Sequence, residues 1–531
     1  MFRHAWGSGR PKNRPKVGIA YDFFRSPLLG QWDGETNGRW LNRLLSPMIG
    51  FAGGQTHFLS EKGAAPQIAV GEALHLGAVA GTTEGWAQAY AGTAALGRVY
   101  EPLREYDLIV GYELAPSLMR FLSAAGIPFL EFSIDPIRFA GDLFFAVRCN
   151  HEPWVKELEA REVRDQDLLP EVGLFRSRLE RAEWERTGGI PPGGPNATLF
   201  VGQADVDASL VVGGSLQRVS EHFERLKMMV PPEQAVLLKP HPFGHTHADV
   251  RFLHHHLPSA MLCNDNVYGL LHSPAIQQVI TLSSGVAREA ELFGKPSVRL
   301  ITPDGDSARL GPNVVSRSYR LNFRDLDVRF WSRVLFGKGP ATRTSTHSIR
   351  SGALRRSLGV SWAFSENGVM PAERRASLEE PIEFGIGRRG LHLLTFGWRE
   401  PEDGIVWGRE GLSAILLNVE PSSLPLAVNL DLEAVVSFKS PLCVSLSARG
   451  ALTSPEVTFQ FSQSGARTVE LELEAGRDGA SGLTEIVLVV RDAQARPWTA
   501  KAEEGRGIGL KAMRIMHSRR AVQAKERSAV A

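Results

Sequence analysis

Short apolar runs that end in a carboxylate alternate with helical patterns over the first third of the chain. The runs are residues 16–23 (KVGIAYDF), 107–113 (DLIVGYE) and 127–135 (IPFLEFSID), and residues 115–125 have a helical pattern. Strands that alternate with helices of about a dozen residues are typical of a parallel, doubly wound sheet. We therefore predict a Rossmann-like half over residues 15–187.

A second series of the same kind follows residues 188–196, which are rich in Gly and Pro and which we interpret as a linker. Apolar runs at 197–201, 235–238 and 278–282 each continue directly into polar residues. In open α/β proteins such strand ends deliver polar side chains to the crevice where ligands bind. We predict a second Rossmann-like half over residues 197–380, with a cleft between the two halves, in a GT-B-like arrangement.

From residue 381 the pattern changes to short alternating strands with Gly, Ser and Pro between them. Examples are residues 424–438, 457–461, 468–473 and 484–490. This pattern predicts an all-β domain, a sandwich or jelly roll, over residues 381–510. Residues 511–531 are basic, and we assign them to a tail. The tail either contacts anionic lipid of the inner membrane or is simply solvated, and we favour the second interpretation.

The composition narrows the class of protein and its partners. Of the 531 residues, 43% are hydrophobic and 22% charged, as in ordinary globular proteins, and the net charge of +2 argues against a nucleic-acid binder. The three cysteines lie far apart, which argues against a disulfide framework and indicates a reducing compartment. We find no signal peptide and no apolar run of membrane-spanning length, so we expect a cytoplasmic location.

The polar residues after the run at 197–201 are the strongest candidates for chemistry. Asp205, Asp207 and Ser209 follow a Gly-Gln turn there. In one interpretation Asp207 is the chemical centre, with Asp205 as its nearest competitor. In the other, the motif is an Asx turn or helix cap, because Asp and Ser satisfy free N–H groups where a helix begins. Taken alone, the motif favours the cap, and the other polar motifs of the chain are what favour a chemical role.

Two further polar motifs follow predicted strands in the same half of the chain. Lys239 and His241 follow a strand, prolines hold the histidine on both sides, and the pair suits a phosphate or carboxylate; the alternative is a turn with a solvated histidine. Ser283 and Ser284 lie between a strand and a helix, where they can cradle a phosphate while Glu289 bonds a ribose; the alternative is a serine cap. One motif per strand–helix unit favours ligand binding.

Histidines also crowd at His245, His247 and His254 to His256. No carboxylate or cysteine spacing of a known metal site accompanies them. We therefore predict neither a metal site nor a cofactor.

The order GQADVDAS, then KPHP, then TLSSGVAREAELFGKP resembles the bacterial β-Kdo glycosyltransferases of capsule and lipopolysaccharide assembly and, more broadly, the capsule polysaccharide biosynthesis proteins. The resemblance covers roughly residues 107–300. It implies a modified GT-B arrangement that takes Kdo from CMP-Kdo, with the N-terminal half on the acceptor side. It also implies Asp207 as catalytic carboxylate, and donor-side roles for the residues that match the family's motifs: Gln203, Ser209, His241, Ser283, Ser284 and Glu289. From the residues themselves we add Asp205 and Lys239 to the predicted substrate-binding set.

The retaining mechanism that this resemblance implies needs a second carboxylate from the N-terminal half. The acidic pair before Gly-Phe that is familiar in the group does not occur in this chain. The candidates are Glu113, Asp135 and Glu131. We rank Glu113 first and Asp135 second, because each closes its predicted strand whereas Glu131 falls within one.

Residues 396–408 (FGWREPEDGIVWG), with residues 506–509, resemble β-sandwich modules appended to bacterial glycan-assembly enzymes. Trp398 and Trp407 either stack on sugar rings or belong to the core. Because strand tryptophans usually bury their large area, we favour the core.

These observations predict a glycosyltransferase that moves an acidic sugar, Kdo from CMP-Kdo, to a polysaccharide or glycolipid acceptor, through a covalent intermediate on Asp207. Its partners would be the nucleotide sugar and the acceptor, with peripheral contact at the inner-membrane face left open. Two alternatives also stay open. One is a GT-B transferase that uses a UDP- or GDP-sugar, and the other is a non-catalytic glycan-binding scaffold with a vestigial cleft.

Overall fold

The computed structural model describes residues 14–25, 34–60, 82–92, 96–187, 196–232, 234–241, 247–263, 265–303, 317–337, 352–358, 378–385, 389–399, 401–402, 404–408, 411–419, 426–436, 441–476, 483–492 and 507–518. These residues form two compact units. The first comprises the described parts of residues 1–177, 203–222 and 281–364, and the second those of residues 178–202, 223–280 and 365–531. The predicted linker at 188–196 lies, except for residue 196, outside the described residues.

The part of the chain up to residue 187 alternates strands and helices as its pattern predicts. The strands are β1 Lys16–Tyr21, β2 Gln55–Phe58, β3 Leu108–Tyr112, β4 Phe129–Ile134 and β5 Phe144–Cys149. The helices are α1 Gly34–Phe51, α2 Thr83–Ala91, α3 Gly97–Tyr100, α4 Pro116–Ala125, α5 Glu152–Arg161 and α6 Asp165–Thr187. The predicted strands at 16–23, 107–113 and 127–135 and the helix at 115–125 are thus confirmed, while β2 and β5 are strands that the pattern did not reveal.

The next part of the chain contains shorter elements. The strands are β6 Ala197–Val201, β7 Val211–Val212, β8 Ser215–Leu216, β9 Ala235–Lys239, β10 Ala260–Leu262, β11 Ile276–Thr281, β12 Ser297–Arg299 and β13 Tyr319–Asn322. The helices are α7 Phe223–Met229, α8 Ala248–His256, α9 Val267–His272, α10 Val286–Leu292, α11 Val328–Phe336 and α12 Ala353–Leu358. Short 3-10 helices lie at Glu101–Glu105, Ala208–Leu210, Val219–His222, Phe323–Asp325 and Arg389–Leu393.

The first unit is built on a six-stranded sheet with the order β13-β5-β4-β3-β1-β2. Strands β1 to β4 pair in parallel, whereas β5 runs antiparallel to both β4 and β13. Strand β13 therefore belongs to the first sheet, although its place in the sequence lies within the predicted second half. The sheet is the mixed, mainly parallel type that the alternating pattern predicts.

Helices cover both faces of this sheet. Side chains alternate between the two faces along each strand, so each strand contributes to a separate core cluster on either side. On one face Val110 and Phe132 pack in a cluster with α1, α5 and α11. On the other face Ile109 and Phe129 pack in a cluster with α2 and α4. The strands are buried on both sides, which accounts for their nearly continuous apolar sequences.

The second unit contains adjacent strands in the order β10-β9-β6-β11. The pairs β6–β9 and β9–β10 are parallel. The chain thus contains two parallel sheet regions, as the sequence predicts. The GT-B arrangement of the two halves remains a prediction.

The C-terminal part of the second unit is a sandwich of two antiparallel sheets. Its strands are β14 Pro381–Glu383, β15 Leu394–Phe396, β16 Val406–Trp407, β17 Leu412–Asn418, β18 Leu426–Val435, β19 Leu442–Gly450, β20 Leu452–Thr453, β21 Val457–Phe461, β22 Gly465–Ala475, β23 Leu483–Asp492 and β24 Gly507–His517. One sheet has the order β14-β24-β18-β22-β20, with β16 also paired to β24, and the other has the order β15-β17-β23-β19-β21. Apolar side chains from both sheets share one core.

The structure locates part of the predicted basic tail and the two tryptophans that we considered for sugar stacking. Residues 511–517, which we assigned to a basic tail, belong to β24, which pairs with β18 along its length. The tail beyond residue 518 lies outside the described residues. Trp407 is 2% exposed, and Trp398 packs against the sandwich core and donates from Nε1 to the Ala414 carbonyl, 2.8 Å away. Both tryptophans therefore have the core role that we favoured.

A buried polar cluster joins the sandwich to α8 and β10 within the second unit. Glu485, 0% exposed, accepts hydrogen bonds from His254 Nε2 (2.8 Å), Arg449 Nε (2.7 Å) and the Leu262 amide (2.8 Å). Arg449 also donates to the His254 and Ala260 carbonyl oxygens. The sandwich is thus bonded to its neighbouring α/β elements through a fully buried carboxylate.

Candidate functional site

Three residues of the sequence motifs form one hydrogen-bonded network in the first unit. The Gln203 side chain accepts from the Ser283 amide (2.7 Å) and donates from Nε2 to the hydroxyls of Ser209 (2.8 Å) and Ser283 (3.0 Å). The two serine hydroxyls are themselves 3.0 Å apart. Gln203 is 8% exposed and Ser283 6%. The structure thus brings together the predicted residues that follow β6 and β11.

Asp207 adopts the cap geometry that we considered as the alternative to chemistry. Its Oδ1 accepts a 2.8 Å hydrogen bond from the Ser209 amide at the start of the 3-10 helix Ala208–Leu210. This bond fixes the orientation of the carboxylate, which is half-buried. The cap therefore holds Asp207 in place through one oxygen, and the carboxylate is a charge neighbour of both Glu113 and Arg25. Asp205 is also half-buried.

Glu113 directly follows β3, where the sequence placed it. Its backbone lies in the left-handed region, with φ of +48°, which is uncommon for a residue with a Cβ atom. A 2.8 Å hydrogen bond from its amide to the Phe132 carbonyl helps to hold this conformation. Non-glycine residues in this region cluster at functional sites, where the surrounding fold maintains the strain.

Arg25 is a site residue that the sequence did not reveal. Its Nη1 lies 3.8 Å from Glu113 Oε2, and its Nη2 donates a 3.4 Å hydrogen bond to the Val206 carbonyl, next to Asp207. Its guanidinium lies over the Trp86 ring, 5.8 Å from the centroid. Trp86 is in turn fixed by a 2.9 Å hydrogen bond from Nε1 to Asp22 Oδ2.

The Glu113 carboxyl has a raised pKa in this group of charged side chains. Withdrawal from water raises the pKa of the Glu113 carboxyl to about 6, although the Arg25 charge acts in the opposite direction. Three more carboxylates add to the rise: Asp207, Glu131 and Asp22. The Glu113 side chain nevertheless keeps 38% of its surface exposed, so a ligand can reach it. A carboxyl with this pKa changes its protonation state near neutral pH, which suits proton transfer.

Two other ionisable groups of this cluster are also perturbed. Burial raises the pKa of Asp22, against the opposing effects of the Trp86 hydrogen bond and the Arg25 charge. Burial acts to lower the pKa of Arg25, but the carboxylates of Glu113, Asp207 and Asp22 outweigh it and the pKa is raised. Arg25 therefore stays cationic beside these carboxylates.

The other two acid candidates are engaged elsewhere in the first unit. Asp135, 5% exposed, bonds Arg320 Nε at 2.9 Å and accepts from the Ile137 amide at 3.0 Å. Glu131, 1% exposed, bonds Arg148 at 2.9 Å. Their ion pairs give both carboxylates a part in holding the sheet together. Glu113 is the acid candidate beside Arg25 and Asp207.

The two remaining residues of the third motif differ in burial: Ser284 is half-buried and Glu289 is buried. The serine cap that we considered is not observed: the N-cap of α10 is Gly285, no side chain among the described residues caps the helix, and Ser284 Oγ accepts from the Val286 amide at 3.3 Å. Glu289, 1% exposed, accepts a 2.6 Å hydrogen bond from the Arg138 amide. A contact of Glu289 with ribose therefore remains a prediction from the sequence motif.

Lys239 and His241 lie in the second unit, at the end of β9. Lys239 is 8% exposed, and burial lowers its pKa, against the charges of Cys263 and Asp265. The end of β6 packs closely here, because a Cβ on Gly202 would lie 2.8 Å from Val250 Cγ2 and 3.3 Å from the Lys239 carbonyl oxygen. Glycine thus lets the two parallel strand ends approach each other. His241 is half-buried.

The structure describes His247 and His254 to His256 of the histidine-rich segment, and His245 lies outside the described residues. His254 is bonded to Glu485. Within the described ranges, no group of three or more His, Cys, Asp or Glu side chains is arranged to hold a metal ion. In the same ranges, no helix has both the length and the hydropathy needed to cross a membrane.

No family model matches the chain, and no curated protein is significantly similar to it in sequence. Among solved structures, KpsC of Thermosulfurimonas dismutans, a β-Kdo 2,7 transferase, is similar over 47% of this chain and 85% of its own, with 15% identity and a TM-score of 0.26. The UDP-GlcNAc 2-epimerase of Methanocaldococcus jannaschii is similar over 65% of this chain and 99% of its own, with 12% identity and a TM-score of 0.23. TmCBM61, solved with β-1,4-galactotriose, is similar over 22% of this chain and 69% of its own, with 12% identity and a TM-score of 0.14. At these TM-scores we draw no inference about this chain from the likenesses.

Proposed function

We propose that this protein is a glycosyltransferase that moves an acidic sugar, Kdo from CMP-Kdo, onto a bacterial surface polysaccharide or glycolipid at the cytoplasmic face of the envelope. One observation carries the proposal: the carboxylates of Glu113 and Asp207 both act electrostatically on the same cation, Arg25, and Glu113 lies 3.8 Å from it. Reactions at an anomeric carbon commonly use two carboxylates with separate roles. The choice of Kdo rests on the resemblance of the three sequence motifs.

Asp207 is the proposed nucleophile. Its carboxylate would attack the anomeric carbon as the bond from that carbon to the phosphate oxygen breaks, and CMP would leave with the electron pair. The Ser209 amide on Oδ1 supports this role, because it fixes the direction in which the carboxylate presents its other oxygen. Gln203 and Ser283 would act through Ser209, with whose hydroxyl both form hydrogen bonds.

Glu113 is the proposed general base of the second step. It would take the proton of the acceptor hydroxyl as that oxygen attacks the anomeric carbon and releases Asp207. Two displacements at one carbon retain its configuration. A pKa of about 6 leaves Glu113 mostly ionised at neutral pH and therefore ready to accept the proton. The Ser283-Ser284 turn is proposed for the nucleotide phosphate and Glu289 for the ribose. For Lys239 and His241, phosphate binding stays a prediction from their sequence motif.

The test is turnover with a panel of donors. Purified protein is incubated with CMP-Kdo, a UDP-sugar and a GDP-sugar, each with a bacterial polysaccharide acceptor, and the released nucleotide is measured. We expect release of CMP that depends on acceptor and on Asp207. Release of UDP or GDP instead would show that the donor is a different nucleotide sugar, while the assignment as a glycosyltransferase would stand. No release with any donor, together with binding of the polysaccharide itself, would favour the glycan-binding scaffold.

A further inference from the structure

The guanidinium of Arg25 is held firmly but is poorly supplied with hydrogen-bond partners. Its side chain is 19% exposed, it lies over Trp86, and its one hydrogen bond to a described residue is the 3.4 Å contact with the Val206 carbonyl. Nε is buried and has no partner among the described residues. The Glu113 carboxylate, at 3.8 Å, is an ion-pair neighbour beyond hydrogen-bonding distance.

A partly buried arginine whose Nε has no acceptor among the described residues is suited to bind an acceptor of a ligand. Guanidinium presents five N–H donors in a rigid fork, and unmade hydrogen bonds of a charged group are costly. The fork matches a planar carboxylate, which it binds through two parallel hydrogen bonds. Because Trp86 is itself fixed by Asp22, the fork is oriented before any ligand arrives.

The chemistry of an acidic donor requires a cation at this place. In a 2-keto sugar acid the carboxylate is attached directly to the anomeric carbon. Whatever residue attacks that carbon must therefore lie within a few bond lengths of the sugar carboxylate. Arg25 carries the positive charge that faces both proposed reacting groups, Asp207 and Glu113. Without Arg25 the sugar carboxylate would face Asp207 and Glu113, which repel it when they are ionised.

We propose that Arg25 binds the carboxylate on the anomeric carbon of the donor sugar. This assignment rests on the proposed function and narrows it, because it makes the charge of the sugar, rather than the nucleotide, the feature that Arg25 recognises. A neutral hexose donor has no group to fill the fork. Arg25 thus makes the site selective for donors that carry a carboxylate next to the reacting carbon.

The experiment compares free Kdo with its methyl ester, which keeps the shape and removes the charge, by calorimetric titration of the full chain. Wild type, Arg25→Gln and Arg25→Lys are used, with Arg104→Gln as control because Arg104 forms an exposed ion pair with Glu101 in the same unit. We expect wild type and the control to bind the acid at least about tenfold more tightly than the ester. Arg25→Gln should lose this preference, and Arg25→Lys should keep part of it.

Binding of CMP and turnover of CMP-Kdo complete the test. CMP should bind all variants with similar affinity, because Arg25 is assigned to the sugar. A wild type that turns over CMP-Kdo, with an Arg25→Gln variant that still prefers the acid, overturns the assignment and leaves the transferase standing. Equal loss of CMP and Kdo binding in Arg25→Gln would place Arg25 at the nucleotide and also overturn it. A wild type that neither binds Kdo nor turns over CMP-Kdo would overturn the proposed donor itself.

Discussion

The side-chain oxygen of Gln203 accepts a 2.7 Å hydrogen bond from the backbone amide of Ser283, 80 residues later in the chain. The same side chain donates to the hydroxyls of Ser209 and Ser283. Ser209 supplies the amide that orients Asp207. One buried amide group thus connects two loops and the proposed nucleophile.

Gln203→Ala is expected to cost about 1–3 kcal/mol of unfolding free energy, because it leaves buried donors and acceptors unpaired. It should also lower kcat, since the loop that carries Asp207 loses its support. Denaturant unfolding and initial rates measure the two effects. Gln277→Ala is the matched control, because Gln277 is exposed and bonds a single carbonyl, that of Pro274. Equal behaviour of the two variants would contradict the structural role of Gln203.

Asp207→Asn should reduce transfer by about a thousandfold or more, because the amide is a far weaker nucleophile while its size is unchanged. Asn still accepts the Ser209 hydrogen bond, so the thermal unfolding temperature should change little. Asp205→Asn, at the competing position, should lose less than about tenfold. If Asp205→Asn were instead the inactive variant, the nucleophile would have to be reassigned to Asp205.

Glu113 should produce a visible pH dependence. As a general base it must be ionised, so kcat should rise with pH through about 6 and level off above it. Glu113→Gln should lose this rising limb and most of the activity. The pH–rate profiles of the two proteins measure the effect. If kcat of Glu113→Gln still rose with pH through about 6, the titrating group would have to be a residue other than Glu113.

The same group should affect stability with a defined sign. The folded-state pKa of Glu113 lies above its ordinary value of 4.5, so the folded protein binds the proton more tightly than the unfolded chain does. The stabilising contribution is present below 4.5 and is lost as the pH rises through about 6. Glu113→Gln should therefore raise the unfolding temperature more at pH values above 6 than below 4.5. The opposite trend would mean that Arg25 stabilises the ionised carboxylate more than burial penalises it.

The buried cluster of the second unit makes a prediction that is independent of the reaction. Burial acts to raise the pKa of Glu485, but His254, Arg449 and the Leu262 amide outweigh it, and the pKa is lowered. This stabilisation is present above the unfolded-state pKa and is lost as the pH falls through the folded-state value. Glu485→Gln should cost about 3 kcal/mol or more, since it leaves the partly buried Arg449 guanidinium without its countercharge. The exposed Glu474→Gln should stay within about 0.5 kcal/mol, and a similar result for Glu485 would contradict the cluster's role.

Local patterns were sufficient for most strands and for the Gln203 network. Apolar runs predict β1, β3, β4, β6, β9 and β11, because a strand buried on both faces needs little more than an unbroken apolar sequence. The polar residues that follow parallel strands meet at one edge of a sheet, and Gln203, Ser209 and Ser283 do meet.

Local patterns gave no physical ground for ranking Glu113 above Asp135, since both end a strand in the same way. The difference lies in Arg320 of β13, which pairs with Asp135 across 185 residues of sequence. Arg25 was missed for a similar reason. It is a single arginine with no spacing signature, and its relation to Glu113 and Asp207 arises only when distant segments come together. Tertiary partners of this kind leave no periodic trace in the sequence.

The most direct measurement of the central proposal is the mass of the intact protein after incubation with CMP-Kdo in the absence of acceptor. Glu113→Gln is the variant to use, because a slow second step should allow the glycosyl-enzyme to accumulate. We predict a mass gain of one Kdo residue, located by peptide mapping at Asp207 and absent from Asp207→Asn. An adduct on another residue, or wild-type transfer without any adduct in this variant, would contradict the proposed mechanism.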